Sequence, residues 1–178
     1  SALGVTVTDD DGYYSISWPG EENVYLFLAA YIYLEDSQGG MALEAVVVDN
    51  TDNEMMWGTW SGEIDVPSTV GSLNYHIEHG YDLYSLQSDH RDSAPFAIAD
   101  AVYEVATMVQ DVDPDIIFPE LLLNWSPDNR PEVGDIEDGQ IESTHYSDNN
   151  IYLMGKEDVE TDEFNADVIV HEFGHFYA

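Results

Sequence analysis

The chain has 178 residues, of which 44% are hydrophobic and 12% aromatic, enough for one moderate core or two small ones, which excludes a wholly disordered chain. It carries 37 acidic and only 3 basic residues, so its formal net charge is −34 at pH 7, and such a surface repels nucleic acid and anionic membranes. The chain contains no cysteine, which excludes disulfides and thiolate chemistry.

The acidic residues are spread along the whole chain and are not gathered in one loop. This distribution favours a protein adapted to a salt-rich, halophilic environment, where screening weakens the repulsion among like charges. The alternative is a calcium-binding surface, whose nearest candidate is the acidic run at residues 9–12. That run lacks the other ligands of a twelve-residue calcium loop and is more typical of a tight turn, so a calcium-dependent binding module is the weaker hypothesis.

The first part of the chain is typical of β-strands. Four segments are rich in Val, Ile and Tyr and are separated by short turn sequences, namely residues 4–10, 13–19, 23–35 and 41–50. These segments predict a small antiparallel β-sandwich over residues 1–67. The longest apolar run, residues 24–34, is too short to span a bilayer, so we expect no membrane insertion.

The second part, residues 68–178, begins with a helical pattern. Asp92 or Ser93 is a typical helix start, Pro95 suits the first turn, and apolar residues then recur at helical spacing. The pattern predicts an amphipathic helix over residues 94–111.

A strand, a hairpin and a second helix are expected after this helix. Residues 120–125 predict the strand, and residues 139–146 and 150–155 predict the hairpin. The final helix is expected to begin with Asp162 as its cap and Glu163 in its first turn, where a carboxylate suits the helix dipole. The predicted fold class is therefore α+β, with the sandwich followed by helix, strand, hairpin and helix.

The final helix contains the pattern that carries chemistry, His171-Glu172 followed, after two intervening residues, by His175. Because helical residues four apart stack on one face, both imidazoles can reach a single zinc ion at about 2.0 to 2.1 Å. Glu172 is rotated by about 100° from His171 around the helix. Its carboxylate can then lie beside a zinc-activated water and accept a proton from it.

The sequence around the motif is apolar on nearly all sides, which predicts a buried helix. An imidazole pair buried without a partner would be costly, and a metal ion removes that cost. Gly174 disfavours the helix by about 1 kcal/mol relative to Ala, so we expect it to permit the close approach of another part of the chain. The alternative, a chance occurrence of the pattern on a core helix, is the less favoured interpretation.

A motif helix preceded by a helix, a strand and a hairpin resembles the first half of a zincin metallopeptidase catalytic domain, and the gluzincin type in particular. Residues 91–176 further resemble a group of secreted bacterial zinc metallopeptidases. Residues 12–20 and 46–51 resemble the carboxypeptidase-regulatory-like β-sandwich that precedes the zincin domain in that group. The resemblance implies an extracellular protein that hydrolyses a peptide or protein substrate, with zinc as cofactor and Glu172 as general base.

A catalytic zinc site needs three protein ligands, and His171 and His175 supply two. In gluzincins the third ligand is a Glu from a later helix, and this sequence ends at Ala178. We therefore expect the chain to be the N-terminal portion of a longer enzyme, incompletely liganded and inactive alone. A third ligand from the acidic residues 155–163, from the terminal carboxylate or from a self-associated second chain is the alternative.

The resemblance also implies a substrate-binding strand just before the motif helix. An extended peptide would lie along the sheet edge formed by Ile151, Tyr152, Leu153 and Met154, and a plain sheet edge is the equal alternative. The competing function is an extracellular structural or adhesive protein in which the metal motif is vestigial.

The other histidines and the basic residues are weaker candidates. His76 and His79 lie three apart on an extended segment and point to opposite faces, which disfavours a shared metal. His90 and His145 stand alone in the sequence and are typical of surface or hydrogen-bonded residues. The three basic residues are each expected to form an ion pair, and these are Arg91, Arg130 and Lys156.

Overall fold

A computed structural model shows β-sheets and, among the residues it describes, two α-helices, which confirms the predicted α+β class. The chain divides into two compact units, one of Ser1–Phe27 with Trp60–Tyr75 and the other of Leu28–Thr59 with His76–Ala178. Neither of the described helices is long and apolar enough to cross a membrane. The residues that the structure describes are 4–9, 12–17, 23–64, 74–77 and 91–178.

The described elements are two groups of strands, each followed by an α-helix, with a 3₁₀ turn in the second group. They are β1 (Phe27–Ala29), β2 (Tyr31–Glu35), β3 (Met41–Asp49), β4 (Met55–Met56), β5 (Gly58–Trp60), α1 (Ala94–Val112), β6 (Leu121–Trp125), a 3₁₀ turn (Ile136–Asp138), β7 (His145–Ser147), β8 (Asn150–Leu153), β9 (Gly155–Lys156), β10 (Glu160–Thr161) and α2 (Ala166–Tyr177).

A mixed sheet of six strands organises the larger unit. Its order is β2-β3-β6-β8-β7, and β4 pairs with the end of β3. Strands β3, β6 and β8 run parallel, whereas β2 and β7 run antiparallel to their neighbours. Strand β3, which lies between β2 and β6, is buried on both faces, with Leu43, Ala45 and Val47 on one and Ala42 and Val48 on the other. Such two-sided burial is typical of parallel strands covered by other elements.

The two helices pack against each other and onto this sheet. Because β3 and β6 are parallel, the chain must cross over between them, and α1 lies in that crossover. Helix α1 contacts β2 and β3, and α2 contacts β7 and β8. The shared core contains Ile98 and Val102 of α1, Leu123 of β6, and Ile169 and Phe173 of α2.

The structure differs from the predicted division at residue 67. Strands β2 and β3, which were expected in a separate sandwich, belong to the sheet that contains β6 and β8. Residues 4–9 and 12–17 contain no strand. The apolar run of β3 pairs in parallel with another apolar run, Leu121–Trp125, and the sequence pattern of a strand does not identify its partner.

The smaller unit contains few described contacts. The predicted turn at residues 9–12 is consistent with the hydrogen bond from Gly12 N to Asp9 O, 2.8 Å, and with the positive φ of 78° at Gly12. Among its described residues, an isolated β-bridge joins Val24 to Ile64.

The predicted order of helix, strand, hairpin and helix is confirmed by α1, β6, β7 with β8, and α2. The hairpin turns at Asp148 and Asn149, whose φ angles are 47° and 63°. Two successive positive φ angles are typical of the tight turns that match the twist of a hairpin, and Asp and Asn tolerate them well.

The predicted start of the final helix is wrong. Helix α2 begins at Ala166, with Asn165 at its N-cap. The Asp162 carboxylate accepts a hydrogen bond from Thr144 Oγ1 at 2.6 Å, and the fully buried Glu163 forms an ion pair with Arg91. Tertiary partners therefore engage both acidic side chains, and neither serves the helix end.

The prediction for the basic residues is confirmed, because all three form ion pairs. Arg130 also donates from Nη1 to the carbonyl of Asp138 at 2.7 Å, which fixes its loop, and its guanidinium holds the pKa of Glu132 below the usual range. The three pairs are Arg91 with Glu163, Arg130 with Glu132 at 2.9 Å, and Lys156 with Asp128 at 2.7 Å.

Nearly all the described acidic side chains lie outside the core. Among the described Asp and Glu residues, only Asp162, Glu163 and Glu172 are buried. The other carboxylates repel one another across the surface, and dissolved salt screens this repulsion.

We predict that the urea midpoint of unfolding rises as KCl increases from about 0.1 M to about 1 M, because the Debye length falls from about 10 Å to about 3 Å. Tryptophan fluorescence during equilibrium unfolding measures this midpoint. The matched control adds calcium, or a chelator, at constant ionic strength and should leave the midpoint unchanged. A midpoint that responds to chelation and not to KCl would contradict screening and support the calcium hypothesis.

Candidate functional site

Helix α2 is amphipathic in the structure, so the prediction of burial on nearly all sides is wrong. Its buried residues are Ile169, Glu172, Phe173 and Phe176. His171 and His175 lie on the exposed side. The apolar residues Val170 and Tyr177 are also exposed, 38% and 53%, which is why composition alone overstated the burial of the helix.

His171 and His175 lie side by side, as their spacing predicted. Their Nε2 atoms are 3.2 Å apart, and the rings meet edge to face with centroids 4.8 Å apart. One ring donates and the other accepts in this contact. Two nitrogen ligands of one tetrahedral zinc ion, at about 2.05 Å each, lie about 3.3 Å apart, so the observed pair fits two positions of such a site.

The Glu172 side chain is held by β7, the edge strand of the sheet. It is 9% exposed, and its Oε2 accepts a hydrogen bond of 2.9 Å from the backbone N–H of Tyr146 in β7. The other oxygen, Oε1, has no hydrogen-bond partner among the described residues. One carboxylate oxygen is therefore fixed by the backbone, and the other remains for a ligand or a water molecule.

No third His, Asp or Glu joins the histidine pair within the part of the chain that the structure describes, where no group of three such residues is arranged to hold a metal. The acidic residues 155–163, one of the predicted sources of a third ligand, do not supply it there. Glu163 of that segment is engaged with Arg91. The site on α2 is thus a pair of candidate ligands with an adjacent candidate base.

The prediction that Ile151, Tyr152, Leu153 and Met154 form a sheet edge is wrong. Strand β8 lies between β6 and β7 and pairs with both. Ile151, Leu153 and Met154 are fully buried, and Tyr152 is half-buried. The edge strand on this side is β7, which precedes β8 in the hairpin.

The side of β7 that faces away from β8 carries the backbone N–H and carbonyl of Tyr146. Its N–H is directed to Glu172 and therefore away from β8, so Tyr146 and Ile151 are a non-hydrogen-bonded pair of the antiparallel ladder. In such a pair the carbonyl of the same residue also points away from the neighbouring strand. The Tyr146 carbonyl is thus directed outward beside the motif helix.

The other two described histidines, His76 and His145, do not join this site. His145 stacks on Tyr152 with ring centroids 5.1 Å apart, and its Nδ1 lies 2.7 Å from the carbonyl oxygen of Ser143. His76 is exposed. His79 and His90 lie outside the described residues.

Sequence reasoning missed the role of the Tyr146 backbone. A backbone N–H leaves no mark in the sequence, because every residue except proline carries one. It also missed a cleft of about 580 Å³ that is lined in part by Trp57, Trp125, Arg91 and Lys156. None of the three motif residues lines this cleft.

Comparisons with protein-family models, with curated proteins and with solved structures found no match for this chain. The geometry of α2 and β7 is therefore the basis for a functional hypothesis.

The expectation that Gly174 permits a close approach is wrong for the described residues, since nothing among them lies within 4 Å of the position that a Cβ atom would take. We predict that Gly174→Ala raises the free energy of unfolding by up to about 1 kcal/mol, because alanine favours the helix. Urea unfolding in high salt measures this change.

Gly155→Ala is the matched control. A Cβ atom at Gly155 would overlap the carbonyl oxygen of Ser126 and lie 2.8 Å from Trp125 Nε1. We expect this variant to lose at least about 1 kcal/mol. A Gly174→Ala variant that is destabilised as strongly would contradict the open surroundings of Gly174.

Proposed function

We propose that this chain supplies part of the active site of a zinc-dependent peptidase, in which His171 and His175 are zinc ligands and Glu172 is the general base. The observation that carries the proposal is the arrangement of the three side chains on α2. The two Nε2 atoms are 3.2 Å apart on the exposed side, and the carboxylate of Glu172, the residue after His171, accepts a hydrogen bond from the Tyr146 N–H.

The two imidazoles would hold the metal from one turn of helix. When bound, zinc supplies a Lewis acid that polarises a carbonyl group and acidifies water. No His, Cys, Asp or Glu among the described residues completes the group, so a third protein ligand would come from another part of the protein, from the terminal carboxylate or from a second chain. A histidine pair alone should therefore bind zinc weakly.

Glu172 would accept the proton of the attacking water and pass it to the leaving amine. The hydrogen bond to Tyr146 N fixes one oxygen and leaves the other to accept this proton. Because the carboxylate is oriented before substrate binds, less ordering is needed during the reaction.

An extended peptide would add to the side of β7 that faces away from β8. The outward carbonyl of Tyr146 can accept an N–H from such a peptide, as in other cases where a strand adds to a sheet edge. A bound peptide would then run next to the exposed side of α2, where His171 and His175 lie. This arrangement moves the proposed substrate contact from β8 to the neighbouring strand β7.

We predict that this chain binds one zinc ion through the histidine pair. Replacing His171 or His175 with Ala should weaken zinc binding at least about tenfold, because each change removes one of two ligands. Glu172→Gln should retain binding, since Glu172 is not a ligand in the proposal. Isothermal titration with zinc measures the affinities, and His145→Ala is the matched control. If His171→Ala and His175→Ala both bind zinc as tightly as the wild type, the proposed site is contradicted.

We predict that Glu172→Gln in the longest natural chain that contains this sequence lowers peptide hydrolysis by about 10² to 10⁴-fold, because the amide cannot accept the proton. The measurement is turnover of a quenched fluorescent peptide library in high salt. Glu160→Gln, a change at an exposed acidic residue, is the control. Undiminished activity of Glu172→Gln would refute the general base. Zinc binding without hydrolysis in the wild-type chain would favour the structural or adhesive alternative.

A further inference from the structure

Arg91 is a buried cation that connects three segments of the larger unit. It is 9% exposed and lies just before α1. Its Nη1 forms the ion pair with Glu163, and its Nη2 donates to the carbonyl of Gly155 at 2.7 Å. Its guanidinium carbon lies 5.4 Å from the centroid of the Trp125 ring. One side chain therefore joins the start of α1, strand β9 and the segment that precedes α2.

The ion pair is not explained by stability alone. Glu163 is fully buried, and its Oε2 has no hydrogen-bond partner among the residues that the structure describes. Burial raises the pKa of Glu163, and the Arg91 guanidinium only partly opposes this effect. Apolar residues of similar volume often replace a buried ion pair without loss of stability, whereas a buried pair can specify one arrangement of the chain. The question is what this pair holds in place.

The segment that contains Glu163 is tied to both ends of the β7–β8 hairpin. Asp162, next to Glu163, accepts a hydrogen bond from Thr144 Oγ1 at 2.6 Å and donates from its backbone N to Met154 O at 3.0 Å. Thr144 Oγ1 in turn accepts from Met154 N at 2.9 Å. Thr144 directly precedes β7 and Met154 directly follows β8. Residues 162 and 163 thus connect the hairpin to the Arg91 side chain.

A displacement of this segment would also displace Glu172, because the first turns of α2 join the two. Helix α2 begins at Ala166, three residues after Glu163, and Glu172 lies about 9 Å further along its axis. A helix of this length moves as one body, so a displacement at its start also displaces Glu172. The bond from Tyr146 N to Glu172 Oε2 is 2.9 Å long, and such a bond is lost beyond about 3.5 Å.

We propose that Arg91 is a positioning residue, which sets the start of α2 relative to the β7–β8 hairpin through Glu163 and thereby keeps the Glu172 carboxylate on the Tyr146 N–H. The catalytic meaning of this role rests on the proposed function. The contact between Glu172 and Tyr146 needs no metal and no substrate, so the positioning role can be tested separately.

The test is amide hydrogen exchange measured by NMR on the full chain in high salt, without metal. The variant Arg91→Met with Glu163→Met replaces the ion pair by two apolar side chains. We expect the Tyr146 amide to exchange about tenfold faster or more, because its hydrogen bond to Glu172 is weakened. The amides of Leu123 and Ile151, in the interior of the sheet, should keep their wild-type rates. Glu172→Ala gives the exchange rate of a Tyr146 amide that has lost its partner.

Lys156→Met is the matched control, because it also removes one positive charge and one ion pair, but from an exposed site. It should leave the Tyr146 rate unchanged. Arg91→Lys keeps the charge and loses the planar guanidinium, and we expect its rate to lie between those of the wild type and the double variant. If the double variant does not fold, Arg91→Lys decides the question.

The proposal would be overturned if the Tyr146 amide of the folded double variant exchanged at the wild-type rate. If the double variant does not fold, the same result in folded Arg91→Lys would overturn it. An equal acceleration of the Tyr146, Leu123 and Ile151 amides would also overturn it, since that result describes a general loss of stability. Failure of zinc binding in the wild type would count against the proposed function and would leave the exchange result standing.

Discussion

The packing of α2 against the β7–β8 hairpin is the constraint on which the candidate site depends. Phe173 and Phe176 bury the inner side of the helix. Phe118 stacks on Phe176 and meets Phe173 at a tilt, and Phe176 meets the Tyr146 ring edge to face at 6.1 Å. The same packing brings Glu172 to the backbone of β7 and leaves the histidine pair exposed. Core packing and the arrangement of the motif are therefore set by a single interface.

The basic residues fix particular segments of the chain and do not balance its overall charge. Three cations cannot offset 37 carboxylates, and each one instead forms an ion pair that holds a defined segment. Arg130 and Lys156 fix exposed loops, whereas Arg91 is buried beneath the segment that leads into α2. A buried cation does little to reduce the repulsion among surface carboxylates. The role of Arg91 therefore lies in the geometry that its ion pair specifies.

Local patterns predicted the elements of residues 91–178 well, because helix period, strand composition and turn chemistry are properties of short segments. Pairing of β3 with β6 was not predictable in this way, since it joins residues about 75 apart in the chain. The histidine spacing also specified the pair correctly. The partner of Glu172 and the engagement of Glu163 by Arg91 could not be predicted, because both arise from tertiary contacts that override local preference.

The most direct test of the central claim is zinc K-edge X-ray absorption of the longest natural chain that contains this sequence, loaded with one equivalent of zinc. The account predicts a coordination shell with at least two imidazole nitrogens at about 2.0 to 2.1 Å. Both should come from His171 and His175, so the signal of imidazole should fall when either is replaced by Ala. A shell made of oxygen alone, or one that is unchanged in both variants, would contradict the account.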